Sequence, residues 1–383
     1  MTVSVSKAGP YYASGAISFS SLRSNFRAQV RRDSSSDSET FNTDNNPISA
    51  SQLIRNTTTT ETNPIVPDAT ENASITSSQS NWTISDFRNS IKYYYVTLPS
   101  SDEVTNFDID DQSWNSNLTK TINKVAFIDG ICGSNSTSSA AARFNTTAYN
   151  ITIDVFGEIY GAGGVGGTSS STDGGTGGNA LRASSSSGNN LVVNVRSSAK
   201  IYAGGGGGAK GDTGNQGSNG TCNESTTKSS CGNCPSCDSG WSSGGCTDGW
   251  HCDRKQVCNR WGNCWWESTA NTKYRTCTKS TTVSGGSGGE GGNGGKGRGY
   301  DNLSGPSDGS AGSAGGSHGG CPGSWSPEPS DGDTGDTGGS GGDWASEGDD
   351  TDLASGGSPG KAIFGVNYTV TGSTGSTNIK GDY

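Results

Sequence analysis

Glycine sets the terms for this chain. Of its 383 residues 62 are glycine, and they are gathered into blocks at 157–178, 204–220, 285–299 and 305–342. Ordering a residue's backbone costs roughly 1–2 kcal/mol, and glycine brings no side chain to offset that cost, so such blocks cannot form a conventional core. Three structures remain open to them. A Gly/Ser-rich stretch can be a flexible linker. A strict glycine at every third position with abundant proline would be collagen. GAKGDTGNQGSNG (208–220) keeps that period, but the chain has only 11 prolines and the period fails in GGSGGEGGNGGKGRG. The third option is a bundle of extended left-handed helices with three residues per turn. Each N–H and C=O then points outward and is satisfied by a neighbouring helix.

The segments bordering the glycine blocks favour the packed option. Ile151-Thr152-Ile153-Asp154-Val155 alternates like a strand and runs through Ile159-Tyr160 into GAGGVGG. Leu191-Val192-Val193-Asn194-Val195 alternates again and runs through Ile201-Tyr202 into GGGGG. The phrase returns at 362–370 and ends in Asn378-Ile379-Lys380-Gly381. Strands that end directly in glycine runs fix the register of those runs, and the recurrence is an internal repeat.

The remaining chain divides by composition. Residues 1–32 place Ile17, Phe19, Leu22, Phe26 and Val30 near helical spacing, opposite Arg23, Arg27, Arg31 and Arg32. This predicts a short amphipathic helix, packed on its own chain or docked on a partner. Residues 33–80 read as a Ser/Thr/Asn-rich linker. Residues 81–148, with Trp82, Phe87, Tyr93 to Tyr95, Trp114 and Phe127, have the content for a small mixed domain.

Nine of eleven cysteines fall between Cys222 and Cys277: Cys222, Cys231, Cys234, Cys237, Cys246, Cys252, Cys258, Cys264 and Cys277. That density is usual for disulfide-stapled secreted modules, yet the N-terminus has no secretory signal. A protein made in a host cytosol, released by lysis and oxidised outside reconciles the two. C-x-x-C-x-x-C at 231–237 followed by His251 keeps zinc open as the competing reading. The later cysteines, six apart, do not form a second zinc knuckle. Nine is odd, so one thiol is free or pairs outside the segment, with Cys321 the nearest candidate.

The same segment holds Trp241, Trp250, Trp261, Trp265 and Trp266, too many indoles for so short a stretch to bury. They either cover cystines or form a surface platform that stacks on sugar rings, with Arg254, Arg260 and Arg275 meeting acidic groups. The acidic residues of 328–352 read as a solvated or receptor-facing loop. A net charge of −10 argues against nucleic acid, and no apolar run approaches the ~20 residues that span a bilayer. Only His251 and His318 supply imidazoles, and no convergent catalytic set stands out. The chain therefore reads as a non-enzyme, with a carboxylate-based depolymerase as the minor alternative. No cofactor is called for beyond the zinc alternative.

NITIDVFGEIYGAGGVGG, GGTGGNAL, NVRSSAKIYAGGGGG and GKAIFGVNYTVTGSTGSTNIKGDY resemble the glycine-rich receptor-binding tips of tailed phages. That group includes the tip adhesins of T-even-like long tail fibres and the C-terminal part of lambda-like host-specificity proteins. GAISFSSLRSNF resembles a segment near the start of many phage tail and fibre proteins, cyanophages included. The resemblance implies a polyglycine II sandwich that displays host-specific loops. The expected architecture is mainly β and irregular. A virion-anchoring segment at 1–32 (Ile17, Phe19, Leu22, Arg23, Phe26) is followed by the linker and the small mixed domain. A glycine-rich sandwich then spans 149–383, with a Cys/Trp-rich insertion at 221–284. The implied function is attachment to other tail proteins and to a host glycan or outer-membrane receptor, with oligomerisation open. A purely structural tail, baseplate or fibre connector is the alternative.

Overall fold

The computed structural model describes residues 122–383 apart from 149, 170 and 171, together with 93–110, 114 and short stretches between residues 6 and 90. The side chains of Trp250, His251 and Asp253 are outside the description. Among the described residues there is no α-helix, and Ile84–Phe87 forms a 3₁₀ turn. Ile17, Phe19, Leu22, Arg23 and Phe26 lie outside the described residues, and Val30 belongs to a strand. The first five strands are short: β1 (Ser6–Ala8), β2 (Gln29–Arg32), β3 (Glu39–Asn42), β4 (Arg55–Asn56) and β5 (Val66–Pro67).

From residue 93 the chain winds as a three-sided parallel solenoid. Its first coil is β6 (Tyr93–Leu98), β7 (Glu103–Thr105) and β8 (Phe107–Asp110). The second is β9 (Asn123–Ile128), β10 (Ile131–Gly133) and β11 (Ala142–Thr146), and the third is β12 (Ile151–Val155), β13 (Glu158–Tyr160) and β14 (Leu181–Ser185). β15 (Leu191–Val195) and β16 (Lys200–Tyr202) begin the next. Each strand pairs in parallel with its counterpart one coil earlier, so the first, second and third strands of successive coils build three separate sheets. β1 adds antiparallel to β6. Residues 93–110 and 122–146, within the stretch 81–148 expected as a small mixed domain, supply the strands of the first two coils. Their β-branched and aromatic content reflects strands buried on their inner face.

Alternation now has a physical meaning. Val96, Ala126, Ile153 and Val193 stack in register inside the coil, as do Leu98, Ile128, Val155 and Val195. Phe107, Ala142 and Leu181 line a second wall, and Cys132, Ile159 and Ile201 the third. Outward-facing Asp154 accepts two hydrogen bonds of 2.6 Å from Arg196 and one of 3.0 Å from Asn194 Nδ2. One corner of each coil is turned by an asparagine in the left-handed region: Asn150 (φ 52°), Asn190 (54°) and Asn367 (56°). Asparagine tolerates this conformation better than other side-chain-bearing residues.

The glycine blocks are excursions from this solenoid. One leaves after β13 and returns at β14. The other leaves after β16 and returns as the final strands. Between them in sequence stand β17 (Gly220–Cys231), β18 (Ser242–Cys258), β19 (Cys264–Val283) and β20 (Ser324–Trp325). The return is β21 (Ile363–Val366), β22 (Tyr368–Gly372) and β23 (Ile379–Lys380). These pair with β14, β15 and β16, so Ile363 extends the Leu181 row and Ile379 the Ile201 row. The repeated sequence phrase is one solenoid coil.

The chain divides into two compact units. The first comprises residues 1–210, 293–310 and 338–383 and holds the solenoid together with its own glycine lattice. In that lattice the segment 204–209 is saturated. Gly204 and Gly207 donate to Gly178 and Gly175, Gly205 and Gly208 to Arg298 and Gly295, and Gly206 and Ala209 to Ser346 and Asp349, all at 2.8–2.9 Å. Its carbonyls accept in turn from Gly360 and Gly357, from Gly164 and Gly167, and from Gly342 and Gly339. Positions three apart share a neighbour, as three residues per turn requires. A Cβ on any of Gly204 to Gly208 would lie within 2.2 Å of a neighbouring carbonyl oxygen.

Also in the first unit, Trp344 stacks on Tyr160 (centroids 5.0 Å, 21° between planes) and lies 5.7 Å from Tyr202. Arg298 sits over its ring and pairs with Asp343.

Candidate functional site: a disulfide-stapled arm

The second unit comprises residues 211–292 and 311–337. Its base is a smaller glycine lattice. Gly211, Gly214 and Gly217 donate to Gly292, Gly289 and Gly286, and those three donate onward to Asp336, Asp333 and Ser330. Asp333 and Asp336 therefore lie on an ordered glycine helix, not in a loop. Their carboxylates occupy the x positions of G-D-T-G-D-T-G and are exposed, because only glycine fits the buried ones. No cluster of His, Cys, Asp and Glu suited to a metal is present among the described residues.

From this base rises an antiparallel ribbon ordered β18-β19-β17-β20. β19 pairs with β17 along its C-terminal half and with β18 along most of its length. The cysteines that could have held zinc form disulfides instead: Cys222–Cys321, Cys231–Cys252, Cys234–Cys246, Cys237–Cys277 and Cys258–Cys264. The odd cysteine of the segment is satisfied by Cys321. The chain's remaining cysteine, Cys132, is free and buried in the solenoid.

The arm ends in the turn Asn259-Arg260-Trp261-Gly262-Asn263. Asn259 N donates to Asn263 O (3.0 Å), Gly262 N donates to Asn259 O (3.1 Å), and Asn259 Oδ1 accepts from the amides of Trp261 and Asn263. Gly262 has φ +81°. This is a three-residue hairpin loop with glycine at the left-handed position, and Cys258–Cys264 closes it from below. Asn259 and Gly262 were not among the expected site residues. The signal was there to read: N-R-W-G-N bracketed by two cysteines six apart.

Three of the five tryptophans lie at this end of the arm, Trp261 in the turn and Trp265 and Trp266 just after the bridge. Trp261 is 76% exposed, Trp266 62% and Trp265 46%. Arg260 lies over the Trp261 ring at 5.0 Å, and Trp265 Nε1 donates to Glu267 (3.1 Å). Exposed Arg254 pairs with Ser268 and Gln256 with Trp266, so Arg254 and Trp266 share a ribbon face with the Cys258–Cys264 bridge. Trp265, with Lys255 and Val257, occupies the other face. Trp241 and Arg275 are not part of this cluster. Trp241 is half-buried just before Ser242, which pairs with Thr278, on the order of 40 Å from the turn at strand spacing. Arg275 is half-buried opposite Lys228 and Cys246.

The second unit thus presents a disulfide-stapled hairpin with exposed indoles near its end. Residues 93–263 match the family described as phage tail fibre adhesin Gp38. That span is a little under half of the chain. A solved structure, the gp37–gp38 adhesin tip complex of the bacteriophage S16 long tail fiber, is similar at 16% identity and a TM-score of 0.32. That match covers 79% of this chain and 87% of that one. No curated protein matches the sequence.

Proposed function

We propose that this tail fibre adhesin engages its host-surface receptor through the end of the 221–283 arm. Trp261, Trp265 and Trp266 supply the apolar contact, and Arg254 and Arg260 face acidic groups of an envelope glycan. The carrying observation is the exposure of three tryptophans at one end of the arm, Trp261 in the disulfide-closed turn and Trp265 and Trp266 directly after the bridge. Large exposed indoles are costly to keep in water and mark interaction sites, and the staple lowers the backbone ordering cost of binding. Trp241 and Arg275 serve the arm's own packing. Attachment to the virion runs through residues 1–32 to another tail-fibre protein.

The test is cell binding by the full chain carrying Trp261→Ala, Trp265→Ala and Trp266→Ala together. A buried aromatic contact at an interface is worth on the order of 2 kcal/mol, so the triple variant should bind at least a hundredfold more weakly with its glycine lattices intact. Binding within twofold of wild type would refute the assignment. It would favour a connector role in which these rings pack on another virion protein.

A further inference from the structure

Each of the two units is stabilised internally by a different chemistry. In the second unit the only buried apolar residues among those described are Cys222 and Cys277. β17, β18 and β19 run for 12, 17 and 20 residues with most side chains exposed. A ribbon without a hydrophobic face is at best marginal in water, so backbone pairing alone does not hold this arm. What joins its strands is cystine. Cys231–Cys252 and Cys234–Cys246 tie β17 and the segment after it to β18. Cys237–Cys277 ties that segment to β19, Cys258–Cys264 closes the turn, and Cys222–Cys321 fixes the base. The first unit has the opposite character, with an apolar solenoid interior, a saturated glycine lattice and a lone unbonded thiol. All ten bonded cysteines lie in the second unit.

We propose that the arm is a redox-gated element. With its ten thiols reduced it has no fixed structure, while the solenoid and the glycine lattices are already folded. Oxidation then builds the finger. The reaction is thiol–disulfide exchange with a low-molecular-weight disulfide. A protein thiolate attacks one sulfur and expels a small thiolate, and a second protein thiolate displaces the other. Five disulfide molecules become ten small thiols as five cystines form. A chain made in a reducing cytosol would thus carry an unformed arm until it meets oxidising surroundings. With the receptor contact on this arm, the gate would also hold back receptor binding until release, a consequence that rests on the receptor assignment proposed above.

Hydrogen exchange on the full chain separates the two claims. The protein is compared after oxidation with oxidised glutathione, after incubation with a phosphine reductant, and after reoxidation. The gate predicts that amides of 222–231, 242–258 and 264–283 exchange at least a hundredfold faster when reduced, while those of 204–209 and of the solenoid strands are unchanged, with full recovery on reoxidation. Retained protection of the three strands in the reduced chain overturns the gate, as does simultaneous loss of protection in the solenoid. Cell binding measured on the same samples reports on the receptor assignment. If the reduced arm is unprotected yet binding persists, the gate stands and the receptor site lies elsewhere.

Discussion

Replacing Gly206 by alanine tests the glycine lattice at its most crowded point. The Cβ would stand 1.6 Å from the carbonyl oxygen of Gly357, where ordinary contact begins at 3.4 Å, so the 357–360 segment must retreat by about 1.8 Å. That segment donates to 204–209 through two bonds, Gly357 N to Gly207 O (2.7 Å) and Gly360 N to Gly204 O (3.0 Å). Both would break. A buried group left without its partner costs about 1–3 kcal/mol, so the pair amounts to roughly 2–6 kcal/mol. Alanine recovers about 0.4–1 kcal/mol by restricting the unfolded chain. The net loss of about 3 kcal/mol is a large share of the roughly 5–15 kcal/mol that holds a typical domain. Denaturant unfolding of Gly206→Ala should show it, and Gly206→Val should prevent folding of the first unit. Gly375→Ala is the control in the same unit, since its nearest contact would be 3.9 Å away. If Gly206→Ala matched Gly375→Ala within about 0.5 kcal/mol, the lattice would not be what holds these glycines.

Asn190→Ala should cost about 1 kcal/mol in the same assay, because it forces an ordinary side chain to φ 54°, whereas Asn190→Gly should be near neutral. Arg196→Ala leaves the nearly buried Asp154 carboxylate without its bidentate partner and should destabilise the solenoid by about 2–3 kcal/mol. Asp154→Asn combined with Arg196→Ala should recover part of that loss. Burial pushes the Cys132 thiol up to about 12. Its thiolate therefore forms first in the unfolded chain, and the stability of the first unit should fall as pH rises from about 9 toward 12, a slope that Cys132→Ala should remove. A thiol reagent should accordingly find no reactive cysteine in the native oxidised protein and one after unfolding without reductant.

Much of the fold was legible because its rules are periodic. Ile151 to Val155, Leu191 to Val195 and the terminal phrase alternate because each lines one wall of a coil, and the glycine runs come after them because register is handed on at the strand end. What the sequence did not disclose was that these phrases stack on one another. Pairing between Leu191 and Tyr368 spans 177 residues, and no local pattern encodes it. For the same reason the aromatic stretch after residue 93 looked like a domain of its own: its coils lack glycine excursions, so the repeat is hidden. At the candidate site, cysteine density gave the staples but not their pairing. The five tryptophans looked equivalent in one dimension, and only the hairpin register separates Trp241 from the three at the turn. The acidic run looked like a loop because outward positions of a glycine helix and loop residues have the same composition.

Competition for the host surface tests the receptor assignment most directly. Purified oxidised chain, added to host cells before the phage, should bind the cells saturably and reduce phage adsorption in proportion to occupancy. The variant lacking Trp261, Trp265 and Trp266 should do neither at the same concentration. Saturable binding and blocked adsorption that are equally strong with the variant would contradict the placement of the receptor site on the arm.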